Sequence, residues 1–133
     1  MINTRFLDLG AAYLELKAQI DEAVARVMAS GWYIGGQEVE AFEEEFATYC
    51  GARFAIGVAN GLDALTLSLR AMGLQPGDEV IVPANTYIAT WLAVSICGGK
   101  VVPAEPDSKT FNICPNAAAR AITKKTKFIL PVH

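Results

Sequence analysis

The dipeptide Asn60-Gly61 stands between a short apolar run, "FAIGVA", and a helix-periodic one, "LDALTLSLRAMG". Asn is a favoured helix N-cap, and Gly lets the backbone approach a ligand closely. The first amides of a helix are unpaired and lie at the positive end of its dipole, which suits a phosphate. Asn-Gly also serves a plain tight connection through its backbone freedom, and spacing alone leaves both readings open. No Lys-Ser or Lys-Thr follows, so this is not a Walker A loop, and no GxGxxG fingerprint is present. Asp63, in the first turn, favours the helix dipole but would repel a phosphate it faced, so it reads as a helix-stabilising acid.

Tyr87 is the second candidate. In "VPANTYIAT" a strand ends, Pro83 to Asn85 make the loop, and Thr86-Tyr87 open the next helix at the same sheet edge as Asn60. A tyrosine there either lays its ring on a planar cofactor or packs into the core, as expected of Trp91 four residues on. Other chemistry is thinly supplied. His133 is the single histidine and the last residue, which leaves little for a zinc site or a Ser-His-Asp triad. Cys50, Cys97 and Cys114 fit neither a CxxC site nor a disulfide framework, and read as reduced thiols of a cytoplasmic protein. A net charge of −3 without a basic block argues against nucleic acid or an anionic membrane as partner. The start, "MINTRFLDLG", lacks the pattern of a signal peptide, and no apolar run approaches the ~20 residues that span a bilayer.

The elements that position these residues follow from periodicity. Leu14, Leu16, Ile20, Val24, Val27 and Met28 predict a helix over Ala11 to Ala29 that stops at Ser30-Gly31. "SGWYIGGQ" is then a Gly-rich loop, and Val39, Phe42 and Phe46 predict a second helix over Glu38 to Tyr49. From Arg53 the pattern becomes β-α-β-α-β-α-β: strands at Phe54–Ala59, "VIVP", "KVVPAE" and "KFILPV", with helices at Gly61–Met72, "TYIATWLAVSICGG" and "PNAAARAIT". The short continuous apolar runs predict strands buried on both faces, in a mainly parallel sheet between helical layers. The fold class is α/β, with N-terminal helices over 1–51 and βα units over 52–133. The 133 residues stop directly after a strand, where an α/β protein places its functional loops, so they read as the first part of a larger domain.

Three stretches, "ASGWYIGGQEVEAFEEEFATYCGARFAIGVANGLDAL", "GLQPGDEVIVPANTYIATWLAVSICGG" and "TFNICPNAAARAITKKTKFILPVH", resemble the N-terminal part of the DegT/DnrJ/EryC1/StrS aminotransferases. These are fold-type I enzymes that use pyridoxal 5'-phosphate to aminate keto-sugars, usually nucleotide-linked. The resemblance covers about Phe6 to His133 and implies a partial large domain of that fold. It implies that the amides at Asn60 and Gly61 hold the cofactor phosphate and that Tyr87 stacks on the pyridine ring. The loop Gly31 to Gly36 would lie near the active site and dimer interface, with Tyr33 binding substrate. "ANGLDAL", "ANTYIATWLAV" and "EPD" resemble members acting at C3 of dTDP-3-oxo-6-deoxyhexoses. Glutamate as amino donor, a homodimer and a cytoplasmic location go with the family.

Departures exist. Leu62 stands where many members have Thr or Ser, and Cys114 and Ala117-Ala118 replace a frequent Asp and Ile-Glu. The Schiff-base lysine and the carboxylate on the pyridinium nitrogen come later in the family. Lys17, Lys100, Lys109, Lys124, Lys125 and Lys127 match no motif lysine, so these residues alone are expected to be inactive. Two further readings stand beside the aminotransferase: a truncated, non-catalytic relative acting as small-molecule sensor or interaction module, and a dehydratase of the same family. A separate nucleotide-binding domain has only the βαβ pattern in its favour.

Overall fold

A computed structural model of the chain describes residues 6–133. Met1 to Arg5, half of the stretch read for a leader, lie outside the described residues. The chain divides into two compact units, Met1–Gly57 and Val58–His133.

In the first unit the expected helices form as α1 (Leu9–Ser30) and α2 (Gln37–Cys50). Each ends where a glycine takes a left-handed conformation, Gly31 at φ 68° and Gly51 at φ 64°, which a residue with a Cβ adopts only at a cost. Arg26 joins the two helices, its guanidinium 2.8 Å from Glu38 and 3.2 Å from Glu22. Apolar burial is slight. None of the described residues of α1 is buried, and α2 buries only Ala47, although Phe42 and Phe46 stack with ring centroids 5.5 Å apart.

The strand expected at Phe54–Ala59 is not formed. A strand is made by its neighbour, and no strand runs beside this segment among the described residues. Phe54 and Ile56 are 79% and 80% exposed, and the Gly57 N–H donates to Glu43 Oε1 at 2.6 Å instead of to a ladder.

The second unit carries the sheet. Strands β1 (Glu79–Pro83), β2 (Lys100–Ala104) and β3 (Thr126–Ile129) are all parallel, in the order β2-β1-β3. Helix α3 (Gly61–Ala71) precedes β1, α4 (Ile88–Ile96) connects β1 to β2, and α5 (Pro115–Ala121) connects β2 to β3. Side chains alternate along β1, so its residues serve both faces. Val80 and Val82 join Leu69 of α3, Leu74, and Ala93 and Val94 of α4 in one core cluster. Ile81 faces the other way and joins Ala104 and Ala118 of α5. Helices therefore cover both faces of β1, and all five of its residues are buried. The edge strands differ from expectation: β2 is buried fully only at Ala104, and β3 at no position, because each has a neighbour on one side only.

At the amino end of the sheet Glu79 is buried, with Thr123 Oγ1 donating to its Oε2 at 2.5 Å and Lys100 Nζ to its Oε1 at 3.1 Å. One carboxylate thus ties the start of β1 to β2 and to the turn before β3.

Candidate functional site

At the other end of β1 the chain turns at Ala84 to Thr86 and enters α4. The sequence pattern starts that helix at Thr86-Tyr87. In the structure Tyr87 keeps extended backbone, φ −62° and ψ 144°, and occupies the N-cap position without capping by its side chain. Its ring points outward, 79% exposed. Trp91 turns inward and donates its indole N–H to the Pro83 carbonyl at 3.3 Å. The core-packing alternative for Tyr87 therefore does not hold in this unit, while the inward placement of Trp91 does.

Asn60 caps α3 as its type predicts. Its Oδ1 accepts the Asp63 N–H at 2.9 Å, and its Nδ2 donates to Asp63 Oδ2 at 3.2 Å. Both ends of the Asn60 amide are thereby committed to Asp63, and the Asp63 carboxylate is drawn back onto the cap. The N–H groups of Gly61 and Leu62 are left without an acceptor among the described residues. The same holds for Ile88 and Ala89 at the start of α4. A Cβ placed on Gly61 would meet nothing within 4 Å, so the space in front of this turn is open.

The two helix N-termini line one cavity of about 760 Å³. Asn60, Gly61, Leu62 and Leu65 come from α3 and its cap, and Tyr87 and Leu92 from α4 and its cap. Apolar walls, one exposed aromatic ring and two helix starts with unpaired amides have the chemistry to suit a flat apolar ring bearing an anionic group. A pyridine ring with a phosphate has that chemistry, and the residues present fit it through main-chain amides rather than through the Asn60 side chain. The second pair of amides, at Ile88 and Ala89, is not legible in the sequence, whose pattern starts the helix two residues earlier.

Tyr33 belongs to the first unit. It lies in the turn between α1 and α2, 63% exposed, its hydroxyl 3.5 Å from the Met28 carbonyl. Trp32 beside it donates its indole N–H to the Ile34 carbonyl at 2.7 Å. No lysine lines the cavity of Asn60 and Tyr87. Lys17 pairs with Asp21 and Lys100 with Glu79. Among the described residues no group of His, Cys, Asp and Glu is placed to hold a metal, and no helix is long and apolar enough to cross a membrane.

Comparison with known proteins places the chain in a family and a fold. The profile of the DegT/DnrJ/EryC1/StrS aminotransferase family matches residues 14–133. The chain is 56% identical over 128 residues to the erythromycin biosynthesis sensory transduction protein EryC1 of Saccharopolyspora erythraea, covering 96% of this chain and 35% of that protein. It is 55% identical, over 96% of its length and 34% of the relative's, to the dTDP-3-amino-3,4,6-trideoxy-alpha-D-glucose transaminase of Streptomyces venezuelae. Among solved structures, S. venezuelae DesV in complex with a ketimine intermediate superposes with a TM-score of 0.95 at 53% identity, over 100% of this chain and 36% of that one. Another solved neighbour, from Bacillus subtilis, holds the cofactor PMP. The chain thus spans about a third of the length of the curated relatives it matches.

Proposed function

The chain belongs to the DegT/DnrJ/EryC1/StrS aminotransferase family, and from that premise we propose that it is the N-terminal part of an enzyme that aminates a nucleotide-linked keto-sugar. The acceptor is a dTDP-3-oxo-6-deoxyhexose, a class consistent with the name of the S. venezuelae relative, and glutamate is the donor. The cofactor is pyridoxal 5'-phosphate, whose amine form a solved neighbour carries. The observation that carries the reading is the cavity joining the free amides of Gly61 and Leu62 to the exposed ring of Tyr87.

Each group has a definite task there. The main-chain amides of Asn60 and Gly61, with that of Leu62, bind the phosphate at the positive end of α3, and the Asn60 side chain keeps that end ordered by holding Asp63. The Tyr87 ring lies against one face of the pyridine and shields it from water. When bound, the cofactor supplies the electron sink that lets an amino group pass between donor and acceptor. Tyr33 binds the sugar substrate, and the active protein is a homodimer.

A second reading has one point in its favour: the EryC1 relative is named a sensory transduction protein. In it the same cavity holds a small phosphate-bearing ligand without turnover. Titrating the complete protein with pyridoxal phosphate, then supplying glutamate and a dTDP-3-oxo-6-deoxyhexose, separates the two. Amino-sugar product is expected. Saturable cofactor binding without any transfer would favour the sensor, and no cofactor binding at all would refute the aminotransferase.

A further inference from the structure

The segment that delivers Tyr87 is fastened to the sheet at several points. The Ala84 N–H donates to the Ala104 carbonyl at 2.9 Å, closing the ladder between β1 and β2. Thr86, just before the N-cap, and Thr90, in the first turn of α4, share a hydrogen bond of 2.8 Å. Between them Asn85 does something different. Its Nδ2 donates at 3.0 Å to the carbonyl of Phe111, a residue 26 positions away in the loop after β2.

Phe111 is unusual in its own right. Its φ of 60° makes it the non-glycine residue with a left-handed backbone among the described residues. An aromatic residue takes that conformation only where its surroundings impose it. Here Asp107 imposes it: its carbonyl accepts the Phe111 N–H at 2.9 Å, and its Oδ1 accepts the N–H groups of Lys109 and Thr110, each at 3.0 Å. The loop is closed below by the Asp107 N–H to the Asn112 carbonyl at 2.8 Å and by an antiparallel bridge between Pro106 and Ile113. The result is a stiff loop that presents the Phe111 carbonyl to Asn85.

Nothing comparable holds the Tyr87 ring. It is largely exposed, and its hydroxyl has no partner among the described residues. Its position is therefore set by the backbone two residues after Asn85. We propose that Asn85 is a positioning residue: by gripping the Phe111 carbonyl it fixes the segment 84–87 and hence the point and direction from which the Tyr87 side chain is presented to the cofactor. This rests on the reading of the cavity as a pyridoxal phosphate site. It also gives the strained Phe111 backbone a purpose, since relaxing φ would swing that carbonyl away from Asn85.

The test is a double-mutant cycle on the complete protein, read by cofactor titration and by the visible circular dichroism of the bound ring. Asn85→Ala should weaken pyridoxal phosphate binding about three- to tenfold, the scale of one lost hydrogen bond, and reduce the dichroic band. In a Tyr87→Leu background the same substitution should change affinity by less than about twofold, because the ring it positions is gone. Asn85→Asp keeps the shape but not the donor, and should reproduce the loss if the alanine variant does not fold. In the apoprotein, Asn85→Ala should also speed proteolysis within 105–114. Unchanged affinity, or equal loss in both backgrounds, would overturn the proposal. Failure of the unsubstituted protein to bind the cofactor would instead strike the functional reading, and the positioning role with it.

Discussion

At Leu62 the chain lacks a hydroxyl at the point where the structure leaves an amide open. The side chain lines the cavity and rests partly on the core beneath α3. Leu62→Thr should bring a hydroxyl to the phosphate and tighten pyridoxal phosphate about three- to tenfold. It should also lower stability by about 1 kcal/mol through lost packing. Parallel cofactor titration and thermal melting check both, and unchanged or weaker binding would mean that no phosphate sits at this turn. The role of Asn60 is legible in sequence because a cap is made between residues three apart. The outward ring of Tyr87 is not, since "TYIATWLAV" is apolar nearly throughout and does not say whether Tyr87 turns inward with Trp91. That choice is made by the Pro83 carbonyl, which offers Trp91 a partner. The Asn85 contact is less legible still, because its partner is remote in sequence.

Among the elements, the helices follow their periodicity because the stop signals are local: Gly31 ends α1 as expected, and Gly51 ends α2 in the same left-handed form. Strands obey a different rule. "FAIGVA" and "VIVP" look alike in composition, yet only the second is paired on both sides. Apolar content marks a segment that suits burial, whereas the ladder depends on which strands lie beside it. The sheet that does form is tied at its amino end by Glu79. The Thr123 hydroxyl, then Lys100, hold its carboxyl below the ordinary glutamate range. Because the folded pKa lies below the unfolded one, the stabilisation is complete above about pH 4.3 and drains away as pH falls through the folded value. Glu79→Gln should therefore lower Tm at pH 7 and make Tm less steep between about pH 5 and 3. A Glu79→Gln variant that melts along the same acid slope as the parent would show the tie to be idle.

For the whole molecule, burial is concentrated around β1 and thin elsewhere. Leu14, Val24 and Met28 of α1 are 69%, 56% and 62% exposed, and Phe54 and Ile56 more so. Exposed apolar groups in this number mark surfaces that associate. Expressed alone, the 133-residue chain should self-associate and enhance the fluorescence of a hydrophobic dye, as judged against the complete protein at equal concentration. A monodisperse, dye-silent monomer of the same residues would contradict this. The family can be read from linked motifs along the chain, whereas the division at Gly57 carries no Pro- or Ser-rich linker to announce it.

The strand order β2-β1-β3 also has a consequence in time. The middle strand leaves the ribosome before either of its neighbours. At about 5–20 residues per second, several seconds pass between the emergence of Pro83 and that of Ile129. At the start of that interval Val80 and Val82, which end with no exposure at all, have only α3 and Leu74 as core partners, and Ile81, equally buried at the end, still waits for Ala104 and Ala118. The nascent chain is thus most vulnerable at its future centre, and a chaperone that recognises short aliphatic stretches would find its best target there, just before the sheet closes over it.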